Sequence, residues 1–480
     1  MEIIRNYIDG RSVEPRSGLY LDNVRPRDGT VYSRLPDSDA SDVAEAVAAA
    51  KRAFPEWKAK KRQERAAILQ KLANLIEGRL AQFAEAESED QGKPKTLAER
   101  MDIPRAIENF RFFAGAILHQ EEAAHQSTDS VFNYTLREPV GVAGLISPWN
   151  LPLYLLTWKL APALATGNTV VAKPSELTPM TAYLLTQLLT EAGLPPGVCN
   201  IVFGTGARAG DALVAHPDVP LISFTGGTET ASVIGQRAAP FYKKTSFELG
   251  GKNPGLIFAD ADLDAAVAAS LRSAFLNQGE ICLCTSRLLI EASIFDVFAT
   301  RFVAGAKALK LGDPRQPDSF MGALVSQGHR SKVAGFVARA REQGLQILCG
   351  GEEVVLPGDL SKGFYYPPTV ILAPDASPEI MQKEVFGPVV TLTPFRTYDE
   401  AIRLANQTPY GLATSIWTQN LNTAHRAARD IQAGQIWINT WMNRDLRVPF
   451  GGMKASGIGR EGGRHSLEFY TEEKNVCIQI

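Results

Sequence analysis

The amino-acid sequence predicts an α/β fold with two α/β domains and additional β segments, on three observations. The chain has 480 residues, roughly three times the ~150 residues of a typical domain. From residue 140 onward, short apolar runs alternate with helical stretches, which predicts a parallel sheet covered on both faces: GVAGLIS, NTVVAKP, CNIVFG and PLISFTGG. A second series of such runs follows residue 282, so we expect a second α/β domain from about Gly250.

The elements around these two sheets follow in order. Residues 40–118 are rich in Ala, Glu, Lys and Arg with helical periodicity, and they predict a helical opening. Residues 131–136 alternate apolar and polar side chains, and the C-terminal EFYTEEKNVCIQI is also strand-like. No parallel sheet needs these strands, so they predict either local edge strands or pairing with another subunit. The predicted division is a first domain, a second domain and assembly segments: 1–117 with 140–250, 251–450, and 118–139 with 465–480.

Composition and charge exclude several classes of protein. Hydrophobic residues make up 45% of the chain and charged residues 21%, as in globular rather than disordered or fibrous proteins. The net charge of -2 gives no field that would attract nucleic acid or a membrane surface. The most apolar stretch, residues 139–165, is broken by prolines and contains Lys159, which argues against a membrane span. The first residues lack a signal-peptide pattern, so we expect a cytoplasmic protein.

Two glycine turns are candidates for a nucleotide site. GTGARAG, from Gly204 to Gly210, follows a strand-like run, but its third glycine comes one residue late for the dinucleotide fingerprint, and a plain strand-to-helix turn is equally compatible. FTGGTETA, from Phe224 to Ala231, also joins a strand to a helix start, where free amides suit a pyrophosphate. Two such turns in one domain make a nucleotide site more probable than either turn alone.

A pair of thiols, Cys282 and Cys284 in NQGEICLCTSR, is the candidate for covalent chemistry. Their spacing fits neither the paired C-x2-C of a zinc site nor the C-x-x-C of a redox pair, and the histidines show no ligand pattern, so we predict no metal. A packing role and a nucleophile on a tight turn remain. A nucleophile needs a base and an oxyanion donor, for which Glu248 in SFELGGKNP and Asn150 in PWNLP are candidates.

Six motifs in chain order resemble those of the NAD(P)-dependent aldehyde dehydrogenase superfamily: PWNLP, FTGGTE, ELGGKNP, FLNQGEIC, EVFGP and PFGGMKASGIGRE. The resemblance runs over the whole sequence. It implies the aldehyde dehydrogenase fold, with a Rossmann-like NAD-binding domain, an α/β catalytic domain and a small β oligomerisation arm in a homodimer or homotetramer. The predicted first domain then becomes the NAD-binding domain and the second becomes the catalytic domain.

The resemblance also implies the catalytic roles. Cys282 matches the nucleophile that attacks the aldehyde carbon to form a thiohemiacetal, and the Asn150 amide with the Cys282 N–H would stabilise the oxyanion. Hydride transfer to the nicotinamide would leave a thioester, which water activated by Glu248 would hydrolyse. Cys284 matches no functional position and is assigned to packing. A cysteine hydrolase without a redox step is the rival, and it would not form NADH.

For the cofactor, the resemblance implies a cleft formed by several short motifs. Lys173 and Glu176 in VAKPSE match the positions that hold the adenosine ribose, and a carboxylate there favours NAD over NADP because it repels a 2′-phosphate. Glu384 and Phe386 match contacts to the nicotinamide ribose. The rest of the predicted cleft consists of residues from the PWNLP motif and the two glycine turns: Trp149, Gly206, Phe224, Gly226 and Gly227.

Two arginines predict the kind of aldehyde. Arg105 lies off the apolar stripe of the helix that contains ENFRFFAG, and it is either a surface residue or part of the substrate tunnel. Arg444 occupies a tunnel position where relatives acting on neutral aldehydes commonly have an apolar residue. Together they would suit a small aldehyde with a distal carboxylate. These patterns resemble the muconate-semialdehyde dehydrogenases of the superfamily; the 2-amino substrate is the first expectation, and the 2-hydroxy substrate and a broader aldehyde range are the alternatives.

Overall fold

The protein is described by a computed structural model that covers residues 1–480. Its helices alternate with strands from residue 140 onward, and a run of helices precedes them. The helices are, in chain order, α1 Ala40–Ala59, α2 Arg62–Glu77, α3 Leu80–Gln91, α4 Lys95–Leu97, α5 Ile103–Ala116, α6 Pro152–Ala165, α7 Met180–Ala192, α8 Asp211–Ala215, α9 Thr228–Ala238, α10 Leu263–Phe275, α11 Phe295–Ala308, α12 Gln327–Glu342, α13 Glu379–Gln382, α14 Tyr398–Asn406, α15 Leu421–Asp430 and α16 Gly463–Phe469. None of them combines the length and apolarity needed to cross a bilayer.

The strands form two large sheets and three small ones. They are, in chain order, β1 Glu2–Ile3, β2 Asn6–Ile8, β3 Arg11–Val13, β4 Tyr20–Arg25, β5 Thr30–Pro36, β6 Ala124–Thr128, β7 Val131–Pro139, β8 Val142–Ile146, β9 Thr169–Lys173, β10 Cys199–Ile201, β11 Leu221–Thr225, β12 Lys244–Glu248, β13 Pro254–Ile257, β14 Arg287–Glu291, β15 Gln346–Cys349, β16 Thr369–Leu372, β17 Val389–Phe395, β18 Tyr410–Gly411, β19 Ala413–Trp417, β20 Gln435–Ile438, β21 Met453–Lys454, β22 Gly457–Ile458 and β23 Thr471–Gln479.

The first large sheet has the strand order β22-β12-β11-β8-β9-β10-β2-β3. Its five central strands are parallel, and antiparallel pairs add β22 at one edge and β2 with β3 at the other. Strands buried on both faces read as continuous apolar runs, which is why VAGLI and TVVAK lack polar alternation. The predicted parallel α/β sheet is confirmed.

The second large sheet has the order β15-β16-β17-β14-β13-β19-β20. All its pairs are parallel except that of β15 with β16. Its strands lie between residues 254 and 438, inside the range predicted for the catalytic domain. The division at 117, 250 and 450 stays a prediction.

A three-stranded antiparallel sheet forms from β23, β7 and β6. β7 pairs with β23 from Val131 opposite Gln479 to Pro139 opposite Thr471, so the two predicted strands pair with each other within one chain. The prediction of a strand through the whole C-terminal segment is wrong at its start, because Glu468 and Phe469 end helix α16. The sheet leaves β6 and β23 as unpaired edges, a geometry that can accept a further strand.

Helix α6 lies at the centre of the helices that pack on the first large sheet. All its residues are buried, because it packs between α2, α5 and α7 on one side and the first sheet on the other. Helix α5 uses the apolar stripe that the sequence predicts, with Ile103, Ile107 and Phe110 each at most 3% exposed. Since α5 contains Arg105 and α6 follows Asn150 directly, this packing brings two predicted site residues to the same region.

Candidate active site

The candidate site lies where four neighbouring strands of the first sheet end. The strands β8, β9, β11 and β12 are parallel, so their carboxyl ends meet at one edge, the place where ligands bind in open α/β sheets. The loops at these ends contain most of the predicted residues of the first domain: Trp149, Asn150, Lys173, Glu176, Gly226, Gly227 and Glu248.

A cavity of about 220 Å³ lies between this edge and residues of the later part of the chain, among them Cys282, Glu384 and Phe386. The cavity brings together the three predicted catalytic residues and five of the predicted cofactor residues. They are Trp149, Asn150, Gly226, Gly227, Glu248, Cys282, Glu384 and Phe386. Residues separated by more than 200 positions along the chain thus meet in one cleft.

Cys282 reaches the cleft on a tight loop after α10. Asn277, Gln278 and Gly279 adopt left-handed backbone conformations with φ of 53°, 56° and 72°. Gly279 is required there, because a Cβ would lie 2.3 Å from the main-chain oxygen of Gly387. Asn253 Nδ2 donates a hydrogen bond of 2.6 Å to the main-chain oxygen of Cys282, which ties the loop to the ELGGKNP segment. The main-chain N–H of Cys282 has no acceptor within the chain and is free for a ligand.

The thiol of Cys282 is neutral in the resting site. Burial raises its pKa to about 12, the nearby Arg444 lowers it, and Glu248 and Glu384 raise it. Cys284 does not line the cleft; it is a buried member of the apolar cluster against which Cys282 packs, and its Sγ lies 3.9 Å from the main-chain oxygen of Leu276. Of these two thiols, which are two residues apart, only Cys282 lines the cleft.

Asn150 lies between β8 and α6, with its side-chain amide directed at the nucleophile loop. Its Nδ2 donates to the main-chain oxygen of Glu280 at 2.9 Å, and an amide nitrogen has a second hydrogen for a ligand. The main-chain oxygen of Asn150 accepts from Lys93 Nζ at 3.0 Å and from Asn277 Nδ2 at 3.2 Å. These bonds fix the residue from both sides.

Glu248 ends β12 with its carboxyl group buried and without a hydrogen-bond partner. Burial, with the nearby Glu461 carboxylate, raises the pKa of Glu248 well above its usual range, while Lys159 and Arg460 oppose the rise. A carboxyl with a raised pKa and no fixed partner is suited to accept a proton from water. Behind it, Lys159 Nζ forms a buried ion pair of 2.9 Å with Glu461.

The first-domain residues fit a dinucleotide on observations of this structure. Helix α9 begins after Gly227 without a side-chain cap, which leaves its first amides free for a phosphate. Gly226 lies flat on Phe224, where a Cβ would come within 2.4 Å of the ring. At the end of β9, Lys173 Nζ pairs with Glu176 at 2.9 Å.

Four predicted cofactor residues lie outside the 220 Å³ cavity: Lys173, Glu176, Gly206 and Phe224. Phe224 is buried beneath the glycine turn, and Gly206 is exposed at the start of a π-helical segment, Gly206–Gly210. On the opposite wall, Glu384 is partly buried and accepts a hydrogen bond of 2.9 Å from Gly251 N. A Cβ on Gly250 would collide with that carboxylate, which explains the glycine pair of ELGGK.

Two residues of α12, His329 and Lys332, also line the cavity, and the sequence analysis missed them. His329 Nε2 lies 2.6 Å from the main-chain oxygen of Phe386, and its ring lies 5.0 Å from that of Trp149. Burial lowers the pKa of His329 to about 4, so the imidazole is neutral. The surrounding SQGHRSKV reads as an ordinary surface helix, so its sequence contains no signal for this role.

The two predicted substrate arginines line one further cavity of about 320 Å³. Arg105 and Arg444 are partly buried there, both near Tyr154, and Arg100 and Arg272 are exposed at the same cavity. Glu108 is its only acidic lining residue, and it pairs with Arg105 at 3.1 Å. Met101, Met442 and Tyr154 belong both to this cavity and to the apolar cluster that contains Cys282. The arginine cavity therefore adjoins the nucleophile.

Comparisons with known proteins agree with this geometry. The model of the aldehyde dehydrogenase family matches residues 13–476. The chain is 54% identical to the 2-aminomuconic semialdehyde dehydrogenase of Danio rerio, over 99% of this chain and 98% of the relative. It is 46% identical to the 2-hydroxymuconic semialdehyde dehydrogenase of Pseudomonas sp. strain CF600, over 100% of both chains.

Solved structures share the fold over the same extent. The crystal structure of PnpE in complex with nicotinamide adenine dinucleotide, a protein of Pseudomonas sp. WBC-3, superposes with a TM-score of 0.97 at 42% identity. The match covers 99% of this chain and 98% of PnpE. The predicted aldehyde dehydrogenase fold and the predicted use of a nicotinamide cofactor are confirmed, and the chain belongs to the aldehyde dehydrogenase family.

Proposed function

We propose that this chain oxidises the aldehyde group of a muconate semialdehyde to a carboxylic acid with NAD, and that 2-aminomuconate 6-semialdehyde is the substrate. The observation that carries this proposal is the arginine cavity beside Cys282. An elongated aldehyde with a carboxylate at its far end can place its carbonyl at the thiol while the carboxylate lies between Arg105 and Arg444. Guanidinium groups bind carboxylates through paired hydrogen bonds. A neutral aldehyde would leave Arg444 without an anionic partner, since Glu108 pairs only with Arg105.

The charge of the cavity supports an anionic substrate. Its lining has four arginines and one carboxylate, and Arg100 and Arg272 form no ion pair within the chain. The chain as a whole has a net charge of only -2, so the positive charge is local to this entrance. A cleft with one sign of charge raises the local concentration of the opposite ion.

In the proposed reaction Cys282 is the nucleophile. Its Sγ releases a proton to solvent water and adds to the aldehyde carbon; the C–S bond forms as the C=O π bond breaks, which leaves a negative charge on the former carbonyl oxygen. The Asn150 Nδ2–H and the free Cys282 N–H are the donors for that oxygen. Loss of one such donor typically costs about 10²- to 10³-fold in rate.

Glu248 is the proposed general base for the second half of the reaction. The chemistry that NAD supplies when bound is acceptance of a hydride, which leaves the acyl group on Cys282 as a thioester. Glu248 removes a proton from water, the resulting hydroxide adds to the thioester carbon, and the C–S bond breaks to release the acid. Its unpaired, buried carboxyl is suited to this task.

Cofactor binding is assigned to the cleft along the strand ends. Gly226, Gly227 and the start of α9 would hold the pyrophosphate, and Lys173 and Glu176 the adenosine ribose. Trp149, Glu384 and Phe386 would bind the nicotinamide end beside Cys282, with Gly206 and Phe224 supporting the adenosine side. The Glu176 carboxylate favours NAD because it repels a 2′-phosphate.

The 2-hydroxy substrate is the second candidate. It is favoured by the similarity to the 2-hydroxymuconic semialdehyde dehydrogenase of Pseudomonas, although the identity to the 2-aminomuconic enzyme of Danio rerio is higher. The two substrates differ in one group and share the carboxylate. Both muconate semialdehydes are therefore assayed when the Arg444 and Arg447 variants are compared.

The test is a comparison of two loop variants, Arg444→Ala and Arg447→Ala. Arg447 is in the same loop, but its side chain is 78% exposed and pairs with Asp445. We expect Arg444→Ala to lower kcat/KM for both muconate semialdehydes about 10- to 100-fold, and to lower it much less for a neutral aldehyde, which loses only the effect of Arg444 on the pKa of Cys282. Arg447→Ala should leave kcat/KM unchanged for the charged and the neutral aldehydes. Equal losses for charged and neutral aldehydes in Arg444→Ala would refute the proposed carboxylate site.

The three-stranded sheet of β6, β7 and β23 is the proposed assembly surface. We infer a cytoplasmic homodimer or homotetramer formed through the β6, β7 and β23 sheet, whose exposed edges are suited to pair with a second copy. Size-exclusion chromatography with light scattering measures the assembly. Removal of residues 471–480 should yield a smaller species, and an unchanged mass would contradict this interface.

A further inference from the structure

Tyr154 occupies the wall between the nucleophile and the arginine cavity. It lies in the first turn of α6, is 2% exposed and packs in the same apolar cluster as Cys282. Arg444 Nη1 donates a hydrogen bond of 2.6 Å to its hydroxyl oxygen. The guanidinium carbons of Arg105 and Arg444 lie 5.8 Å and 6.0 Å from the centre of its ring. A single tyrosine thus lies near both arginines.

The position of Tyr154 is fixed by helix α5. Asn109 Nδ2 donates hydrogen bonds of 3.0 Å to the main-chain oxygen of Tyr154 and of 3.0 Å to Thr157 Oγ1. Asn109 comes four residues after Arg105, on the same helix. The arginine on α5 and the tyrosine on α6 are therefore tied to each other at fixed spacing. Arg444 is held from another side, because its guanidinium carbon lies 4.1 Å from the centre of the Phe450 ring.

The hydrogen bonds of Tyr154 leave one donor unused. A phenol has one hydrogen and two acceptor positions, and Arg444 occupies one acceptor position. The O–H of Tyr154 donates to no acceptor within the chain, because the only hydrogen bond of this hydroxyl is the one that it accepts from Arg444. A phenylalanine would fill the apolar part of this wall equally well. Packing therefore accounts for the ring but not for the hydroxyl.

We infer that Tyr154 is a specificity-determining residue that donates its O–H to the distal carboxylate of the substrate, as the third group of the site formed by Arg105 and Arg444. This inference rests on the proposed function. A carboxylate between the three groups would accept hydrogen bonds from two guanidiniums and one phenol. The Arg444 bond polarises the phenol and makes its hydrogen a better donor to an anion.

The experiment compares Tyr154→Phe with Tyr7→Phe. Tyr7 is also buried, and its hydroxyl bonds to Thr190 at 3.0 Å away from the cleft, so the control loses the same atom. We expect Tyr154→Phe to raise KM for a muconate semialdehyde about 10-fold with kcat within about twofold, because the lost contact is made equally in ground and transition states. The KM for neutral aldehydes should not change in Tyr154→Phe. The control Tyr7→Phe should leave KM and kcat unchanged for all these aldehydes.

A second readout needs no turnover. Inhibition by muconate, a stable dicarboxylate with the same carboxylate end, should weaken about 10-fold in Tyr154→Phe, a change that a single lost hydrogen bond to a charged group can produce. Tyr154→Met, which removes the hydroxyl and keeps most of the volume, should show the same loss if Tyr154→Phe proves unstable. Unchanged muconate inhibition in both variants would overturn the inference.

The Arg444→Ala variant separates this inference from the proposed function. If Arg444→Ala loses the preference for charged aldehydes but Tyr154→Phe keeps it, the carboxylate site stands and the role of Tyr154 is refuted. If Arg444→Ala keeps the preference, the proposed function is refuted and the inference with it. If Arg444→Ala and Tyr154→Phe both lose the preference for charged aldehydes while Tyr7→Phe keeps it, the proposed function and the role of Tyr154 both stand.

Discussion

Lys93 Nζ donates a hydrogen bond of 3.0 Å to the main-chain oxygen of Asn150. The same ammonium pairs with Asp102, just before α5, and lies 3.7 Å from Glu87, in a pocket where all three side chains are fully buried. Burial raises the pKa of Glu87 to about 8, which Lys93 opposes. One buried lysine thus links the proposed oxyanion donor to the helix that contains Arg105.

The first prediction concerns Lys93→Met. We expect kcat to fall at least about 10-fold, because a small displacement of Asn150 weakens its contact with the oxyanion. We also expect a loss of about 3–5 kcal/mol of stability, because buried carboxylates lose their partner. Thermal denaturation and steady-state kinetics measure the two effects.

The double variant Lys93→Met with Asp102→Asn is the control for charge. It removes both members of the ion pair, so most of the lost stability should return. The kcat should stay low, because the main-chain oxygen of Asn150 still lacks the hydrogen bond from Lys93. Recovery of kcat along with stability would assign Lys93 a purely structural role.

The second prediction concerns the pH dependence of Cys282. Its thiol has a pKa raised to about 12, so the thiolate is the minor form at neutral pH and increases with pH. Alkylation of the cofactor-free enzyme by iodoacetamide should therefore accelerate about 10-fold per pH unit from 6 to 9, without the plateau expected near a pKa of about 8.5 for an ordinary cysteine. Cys282→Ser supplies the background from other thiols. A plateau at or below pH 8.5 would contradict the raised pKa.

The third prediction separates the roles of Glu248. In Glu248→Gln, steady-state turnover should fall about 10²- to 10⁴-fold through loss of the general base. Alkylation of Cys282 at pH 8 should not slow, because the Glu248 carboxyl raises the pKa of that thiol. If alkylation slows together with turnover, Glu248 also deprotonates the nucleophile.

The fourth prediction distinguishes the two thiols. Cys282→Ala should abolish dehydrogenase turnover, whereas Cys284→Ala should keep kcat within about twofold, because Cys284 is 8% exposed within an apolar cluster. Removing its sulfur should cost roughly 1 kcal/mol of stability through a small cavity. NADH formation and chemical denaturation measure these outcomes, and a large loss of kcat in Cys284→Ala would reverse the assignment.

The fifth prediction concerns the choice of cofactor. Glu176→Gln removes the negative charge beside Lys173 and leaves the lysine to attract a 2′-phosphate. The ratio of kcat/KM for NADP over NAD should rise at least about 10-fold. Glu191→Gln, on an exposed helix end paired with Arg79, is the matched control and should leave the ratio unchanged.

Much of the fold could be predicted because its signals are local. The buried strands have continuous apolar runs, and the stripe on α5 has a helical period, so both could be recognised without the tertiary structure. The C-terminal segment shows where local patterns fail. Glu468 and Phe469 suit a strand by alternation, yet they form the end of α16, whose Leu467 packs into the core of the first domain.

The sequence by itself determined the α/β class, the family and the identity of the candidate nucleophile, base and oxyanion donor, because these rest on short motifs and local periodicity. Only the tertiary structure decided that Arg105 and Arg444 meet at Tyr154, that Lys93 supports Asn150, and that His329 lines the cleft. Each of these contacts joins residues at least 49 positions apart, the separation of Arg105 and Tyr154. Their burial and pairing depend on which helices pack against which strands, and no local pattern encodes that.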